Sequence, residues 1–249
     1  MMTFMSKFYV AATPIGNLKD ISFRVLEVLK EADLILCEDT RTTKRLLERY
    51  KISKPCLSYH QHSRLNKINY ILDQLNQGRN LILVSDAGTP GISDPGSRLI
   101  KQIVEKLGGQ VQIIPLPGPS ALTTALSISG FSVDKFIFLG FPPSKKKRNK
   151  FFEEAVHSKY TVIFYESPHR ILKTLQELSV IASEAKQSRG KQFSTGLLRF
   201  ARNDDRRIVL CRELTKKFET VYRGDIKEII SQLQKDKIRG EFVVVVGRK

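Results

Sequence analysis

Two hydrophobic periods alternate along this chain, and that alternation constrains its fold more than any other feature. Continuous aliphatic, β-branched runs recur at 8–13 (FYVAAT), 33–39 (DLILCED), 81–87 (LILVSDA), 111–118 (VQIIPLPG), 136–141 (FIFLGF), 161–168 (TVIFYESP), 207–214 (RIVLCREL) and 241–247 (EFVVVVG). Between them lie stretches with helical spacing, such as 21–32 (ISFRVLEVLKEA), 42–50 (TTKRLLERY), 171–178 (ILKTLQEL) and 226–234 (IKEIISQLQ). A strand that is apolar throughout is covered on both faces, and amphipathic helices between such strands supply the covers. The pattern predicts an α/β fold with mostly parallel sheets. Eight strands and the Pro-rich PLPGPSA (115–121) favour two α/β domains, 1–117 and 118–249. Such proteins gather ligands at the carboxyl ends of their strands.

One segment breaks the rhythm. From about Ala182 to Arg206 the chain is polar and shows little periodicity, after a helix expected to end near Ile181. It reads as an inserted surface loop, because such loops absorb length at little entropic cost. It also resembles the peptides that mobile palindromic repeats encode inside some bacterial reading frames.

The 42 Lys and Arg residues against 25 Asp and Glu give a formal charge of +17. The 182–206 segment holds six basic and three acidic residues, so +14 remains without it. A chain this basic attracts polyanions, of which nucleic acid is the commonest in a cytoplasm. No apolar run approaches the length of a membrane span, and the opening MMTFMSKFYVAATPIGN reads as a first strand and not a signal peptide. Cys37, Cys56 and Cys211 are far apart in sequence and odd in number. That speaks against a disulfide framework or a Cys-based zinc site, and for a reducing cytoplasm.

The strand-end loops carry more Gly, Pro, Asp and Thr than turns require. They are TPIGNLKDI (13–21), EDTRTT (38–43), SDAGTPGISDPG (85–96) and PLPGPSAL (115–122), then YESPHR (165–170) and RELTKKFET (212–220), with KIRGEF (237–242) leading into the last strand. Gly lets a backbone approach a ligand, while Asp, Glu and Thr supply oriented polar groups. Each loop alone is explained by turn chemistry and helix caps. Together they resemble the ribosomal small subunit methyltransferase I family, within the tetrapyrrole methylase-like superfamily. The likeness spans residues 8 to 247, interrupted only by 182–206. Ala12 departs from it, since Gly is frequent there in the family.

The resemblance implies two α/β domains with S-adenosylmethionine in the cleft between them, in a cytoplasmic homodimer. It also implies 2′-O-methylation of a cytidine in the decoding region of 16S rRNA. Carried over residue by residue, the cofactor set is Val84, Asp86, Ala87, Gly88 and Thr89, Ser120 and Ala121, Tyr165 and Glu166, and Gly240. Pro14 faces the acceptor at least as much as the cofactor. The alternatives are methylation of a small tetrapyrrole on the same fold, or a non-catalytic RNA-binding module.

A ribose hydroxyl is a weak acid, so a general base or a cation beside the developing alkoxide should assist its methylation. Glu38, Asp39 and Arg41 follow a strand and are the candidates. Their other role would be to fix the loop through an Asp–Arg pair, with Thr40 as helix cap. The run PPSKKKRNK (142–150) sets basic residues where the positive end of a helix disfavours them. Lys145, Lys146, Lys147 and Arg148 are therefore expected to contact RNA phosphates, with Lys44 and Arg45 as a second patch. The chain has no G-x-x-x-x-G-K-[ST] and no G-x-G-x-x-G after its first strand, which removes the P-loop and the dinucleotide fingerprint. GPSAL lacks the second Gly of a nucleophile elbow, so Ser120 is a poor hydrolase nucleophile. His60 and His62 lack a nearby third ligand, and no metal is expected. His169 suits a capping turn as well as a site.

Overall fold

Residues 34–37 (LILC) and 81–84 (LILV) have no polar position because each strand is packed on both faces. A computed structural model describes residues 6–60, 65–190 and 207–248. They fall into two compact units, Met1–Ser120 and Ala121–Lys249. In the first unit the strands are β1 (Ser6–Ala11), β2 (Leu34–Cys37), β3 (Cys56–Ser58), β4 (Leu81–Val84) and β5 (Val111–Leu116). The helices between them are α1 (Phe23–Glu31), α2 (Thr40–Arg49), α3 (Leu65–Asn76) and α4 (Gly96–Leu107). All strand pairings are parallel, in the order β3-β2-β4-β1-β5. Alternate residues separate the two faces. Phe8, Leu34, Leu36, Leu81 and Leu83 pack with Ile71 and Ile103; Ala11, Ile35, Cys37, Ile82 and Val84 pack with Val25 and Leu47.

The second unit comprises α5 (Ala121–Ser129), β6 (Phe136–Phe138), α6 (Arg148–His157), β7 (Thr161–Glu166), α7 (Ile171–Gly190), β8 (Arg207–Arg212), β9 (Thr220–Asp225), α8 (Ile226–Lys235) and β10 (Phe242–Val246). Its sheet order is β6-β7-β10-β8-β9. The expectation of mostly parallel sheets fails here. Only β6 and β7 pair in parallel; β10 is antiparallel to β7 and β8, and β8 is antiparallel to β9. The connection 213–219 explains the last of these, since a parallel crossover needs a dozen or more residues. One face of the sheet, with Phe164, Leu210, Phe242 and Val244, packs on α6, α7 and α8 through Phe152, Leu175 and Ile229. The other face is packed by α5, which lies against β7 and β10.

The hydrophobic pattern does not predict strands β3 and β9, because CLS and TVYRGD contain no apolar run. Helix α7 also continues to Gly190, past the expected end near Ile181. Glu184, Ala185, Lys186 and Gln187 are good helix formers, which explains the extension. The remainder of the expected insert, 191–206, lies outside the described residues.

Helix α8 starts from a capping box: Glu228 N–H donates to Asp225 Oδ1 at 2.8 Å, and the Glu228 carboxylate accepts from Asp225 N–H at 3.1 Å. Asp225→Ala is expected to lower stability by about 1 kcal/mol, and Asp225→Ser to restore most of it. Thermal unfolding of the two variants checks this; equal losses would mean the cap is not what holds the turn.

Candidate active site

Because β1 to β5 are parallel, their carboxyl ends share one edge, and the loops leaving β2, β4, β1 and β5 lie side by side in that order. Specific bonds tie each loop to the next. Asp39 N–H donates to Asp86 Oδ1 at 3.0 Å, joining the β2 and β4 loops. Thr13 and Gly88 exchange backbone bonds in both directions, at 2.9 and 3.0 Å, joining the β1 and β4 loops. Ala12 N–H reaches Leu116 O, and Thr89 Oγ1 donates to Pro119 O at 3.3 Å.

The loop 85–96 is also stapled internally. Ser85 Oγ donates to Gly88 O, and Asp94 Oδ1 accepts from both Gly91 N–H and Gly96 N–H at 2.7 Å, while Thr13 Oγ1 of the β1 loop adds an outside bond to Ser85 O. Gly88 has φ +82, and a Cβ there would stand 3.4 Å from Ile15 Cγ2 and 3.6 Å from Pro119 O. Those are ordinary van der Waals distances, so it is the left-handed backbone that selects Gly here. Gly118 opposes Ala12, whose Cβ would be 3.0 Å from a Cβ at 118. Beside these contacts Asp86, Ala87, Pro117 and Gly118 are exposed. A fixed, small-residue backbone edge with open polar groups fits a ligand held by amides and carbonyls. Val84 is an exception within the expected set, because its side chain is buried in the core.

The neighbouring carboxylates differ in environment. Asp39 caps α2, accepting Arg41 N–H at 2.8 Å, while the Arg41 guanidinium grips it at 2.7 to 3.2 Å. The cap expected from Thr40 is supplied by Asp39. Arg41's hydrogen bonds hold the Asp39 carboxyl down at about 2, below its usual 3.8. Glu38 is pushed the other way, above 4.5, first by burial and then by the charges of Asp94 and Asp86, although Asp86 N–H donates to it. Lys44 and Arg45 project from the exposed side of α2. Sequence spacing also hid a neighbourhood of thiols. Cys37 and Cys56 stand on adjacent strands, where Cys37 Sγ donates to Leu57 O and Cys56 Sγ to Lys54 O. Their mutual influence raises Cys37 and lowers Cys56.

In the second unit Tyr165 packs edge-on against Phe138 and Phe141, and burial raises its hydroxyl. Gly240 has φ +84 and lies against the Glu213 carboxylate, which accepts Glu241 N–H at 2.9 Å. Two expected residues need correction. The Glu166 side chain is sealed from solvent and bonded to Thr174, Arg170 and Ser167, so its carboxylate is not open to a cofactor. Arg148 is 6% exposed and bonded to Glu177, Thr174 and Pro143, so it is not a phosphate contact. Lys145, Lys146 and Lys147 are exposed. His60 is exposed, whereas His62 lies outside the described residues. Among the described residues, no group of His, Cys, Asp and Glu could hold a metal ion and no helix is long and apolar enough to cross a membrane.

Residues 7–230 match the Tetrapyrrole (Corrin/Porphyrin) Methylases, and the chain belongs to this family of S-adenosylmethionine-dependent methyltransferases. Among its relatives, proteins called ribosomal RNA small subunit methyltransferase I share 42% identity over 97% of this chain in Bacillus subtilis and 40% over 98% in Thermotoga maritima. The match covers 75% of the first relative and 100% of the second. Solved structures with the same fold include the methyltransferase CobJ (TM-score 0.65, 18% identity, 98% of this chain and 94% of that one) and the cobalt precorrin-4 methyltransferase CbiF (0.63, 18%, 97% and 94%).

Carboxyl titrations followed by NMR should place Asp39 near 2 and Glu38 above the ordinary carboxylate value. Arg41→Ala should raise Asp39 and leave Glu38 nearly unmoved. Asp39's folded value is depressed, so the stability its pair gives is present above 3.8 and lost as pH falls towards 2. An Asp39 that titrates above Glu38 would contradict this assignment.

Proposed function

We propose that this chain transfers a methyl group from S-adenosylmethionine to the ribose 2′-hydroxyl of a cytidine in the decoding region of 16S rRNA, as a cytoplasmic homodimer. The observation that carries the chemistry is the linked row of strand-end loops, in which a carboxylate of raised basicity is tied to a small-residue backbone edge. The choice of RNA as substrate is supported by relatives of 40 to 42% identity called rRNA methyltransferases, and by the +17 charge.

Asp86, Ala87, Gly88 and Thr89, with Ser120, form the first part of the cofactor set; Ala121, Tyr165 and Gly240 are its members in the second unit. When bound, S-adenosylmethionine supplies an electrophilic methyl on a sulfonium, a group that needs alignment and dryness more than covalent help. Glu38 is the group suited to take the hydroxyl proton, because its raised basicity lies nearer the working pH than that of Asp39. Asp39 and Arg41 hold the start of α2, and with it the Glu38 loop, in place. Lys145, Lys146 and Lys147, with Lys44 and Arg45, would neutralise RNA phosphates without reading bases.

The test is transfer of labelled methyl from S-adenosylmethionine to 16S rRNA, with mass-spectrometric mapping of the product. One 2′-O-methylcytidine in the decoding region is expected; label entering a porphyrinogen and not RNA would reverse the substrate assignment. Glu38→Gln should lower kcat on the order of 100-fold with little change in cofactor affinity. Gly88→Val should weaken cofactor binding about tenfold or more in calorimetric titration, since it combines backbone strain with a blocked approach. Wild-type behaviour in both variants would remove these loops from the site.

A further inference from the structure

Glu166, at the end of β7, is the centre of an ion-pair network that the proposed chemistry does not use. Its carboxylate accepts Thr174 Oγ1 at 2.6 Å, Ser167 N–H at 2.7 Å and Arg170 Nη2 at 2.8 Å, with Arg148 Nη2 3.8 Å away. Arg148 donates through Nε to Glu177 at 2.6 Å and through Nη2 to Thr174 Oγ1 at 2.6 Å. Arg170 Nε also reaches Ser167 Oγ at 3.3 Å, and the Nη1 groups of the two arginines aim at consecutive residues. Arg148 Nη1 bonds Pro143 O, and Arg170 Nη1 bonds Pro142 O, both at 3.1 Å.

Those carbonyls belong to the backbone that launches the exposed run 144–147. The prolines fix φ at 142 and 143, and the run closes on Lys147, at φ +67, directly before α6. Arg148 is the first residue of that helix, so the exposed run is fixed at both ends by the same buried group. Stability alone does not call for this, because a buried ion pair is commonly matched or bettered by apolar side chains of equal volume. What the arginine fork adds is geometry: planar donors at set angles, which a lysine ammonium cannot reproduce.

We propose that Arg148 and Arg170 are positioning residues for RNA. Anchored on Glu166, they hold the Pro142–Pro143 backbone so that Lys145, Lys146 and Lys147 meet phosphates on a preformed loop. This deepens, and rests on, the reading of the chain as an rRNA methyltransferase. A loop ordered before binding loses less entropy when it binds, so release of the clamp should weaken RNA binding without removing a single phosphate contact.

Arg148→Lys and Arg170→Lys keep the charge and remove the fork; the second lies at a part-exposed side chain and serves if the first does not fold. In each, KM for 16S rRNA should rise about fivefold or more, while KM for S-adenosylmethionine stays at its wild-type value. The salt dependence of RNA binding should keep its slope, because the same lysines still release counterions. Trypsin should cut after Lys145, Lys146 or Lys147 several times faster in the native variants than in the wild type. An unchanged KM for RNA in the folded variants overturns the positioning role, whatever trypsin shows. A wild-type protein that neither binds nor methylates RNA overturns the methyltransferase reading itself, and this role with it.

Discussion

The paired backbone bonds between Thr13 and Gly88 are the contact on which the candidate site depends. A parallel sheet brings its strand ends to one edge but does not fix the loops that leave them. Here the β1 and β4 loops are clipped together where a left-handed glycine lets the chains meet, and side-chain bonds extend the clip to β2 through Asp86 and to β5 through Thr89. The loop 85–96 is long because it serves several neighbours at once. Asp94 and Ser85 hold it closed from within, so its exposed backbone is presented in a defined shape.

The same edge separates two adjacent carboxylates into different tasks. Asp39 faces Arg41 and the start of α2, an environment that favours the charged form. Glu38 is desolvated and faces Asp86 and Asp94, which disfavour it. A helix cap and a carboxylate of raised basicity then stand side by side in the chain. In the second unit a comparable separation occurs in a basic run: three lysines are exposed while the arginine after them is buried in an ion-pair network.

The α/β class, the principal strands and the strand-end loops were legible because each rests on a local signal: apolar runs, helical spacing, clusters of turn formers. What was not legible depends on partners distant in sequence. The antiparallel pairings of β10 follow from how it inserts between β7 and β8, which no run of residues encodes. Arg148 looked like the fourth member of a phosphate patch until Glu166, Thr174 and Glu177 were brought to it. The choice between Glu38 and Asp39 needed Asp94, far along the chain, to be placed beside the first. Cys37 and Cys56 were far apart in sequence and are neighbours on adjacent strands.

That the loops leaving β1, β4 and β5 form a built cofactor edge is tested most directly by a crystal structure of the chain with S-adenosylhomocysteine. The ligand should accept and donate hydrogen bonds to the backbone of residues 86–89, with Gly88 at van der Waals distance and the Thr13–Gly88 bonds unchanged. A ligand bound away from these loops, or one that opens the Thr13–Gly88 pairing to enter, would contradict it.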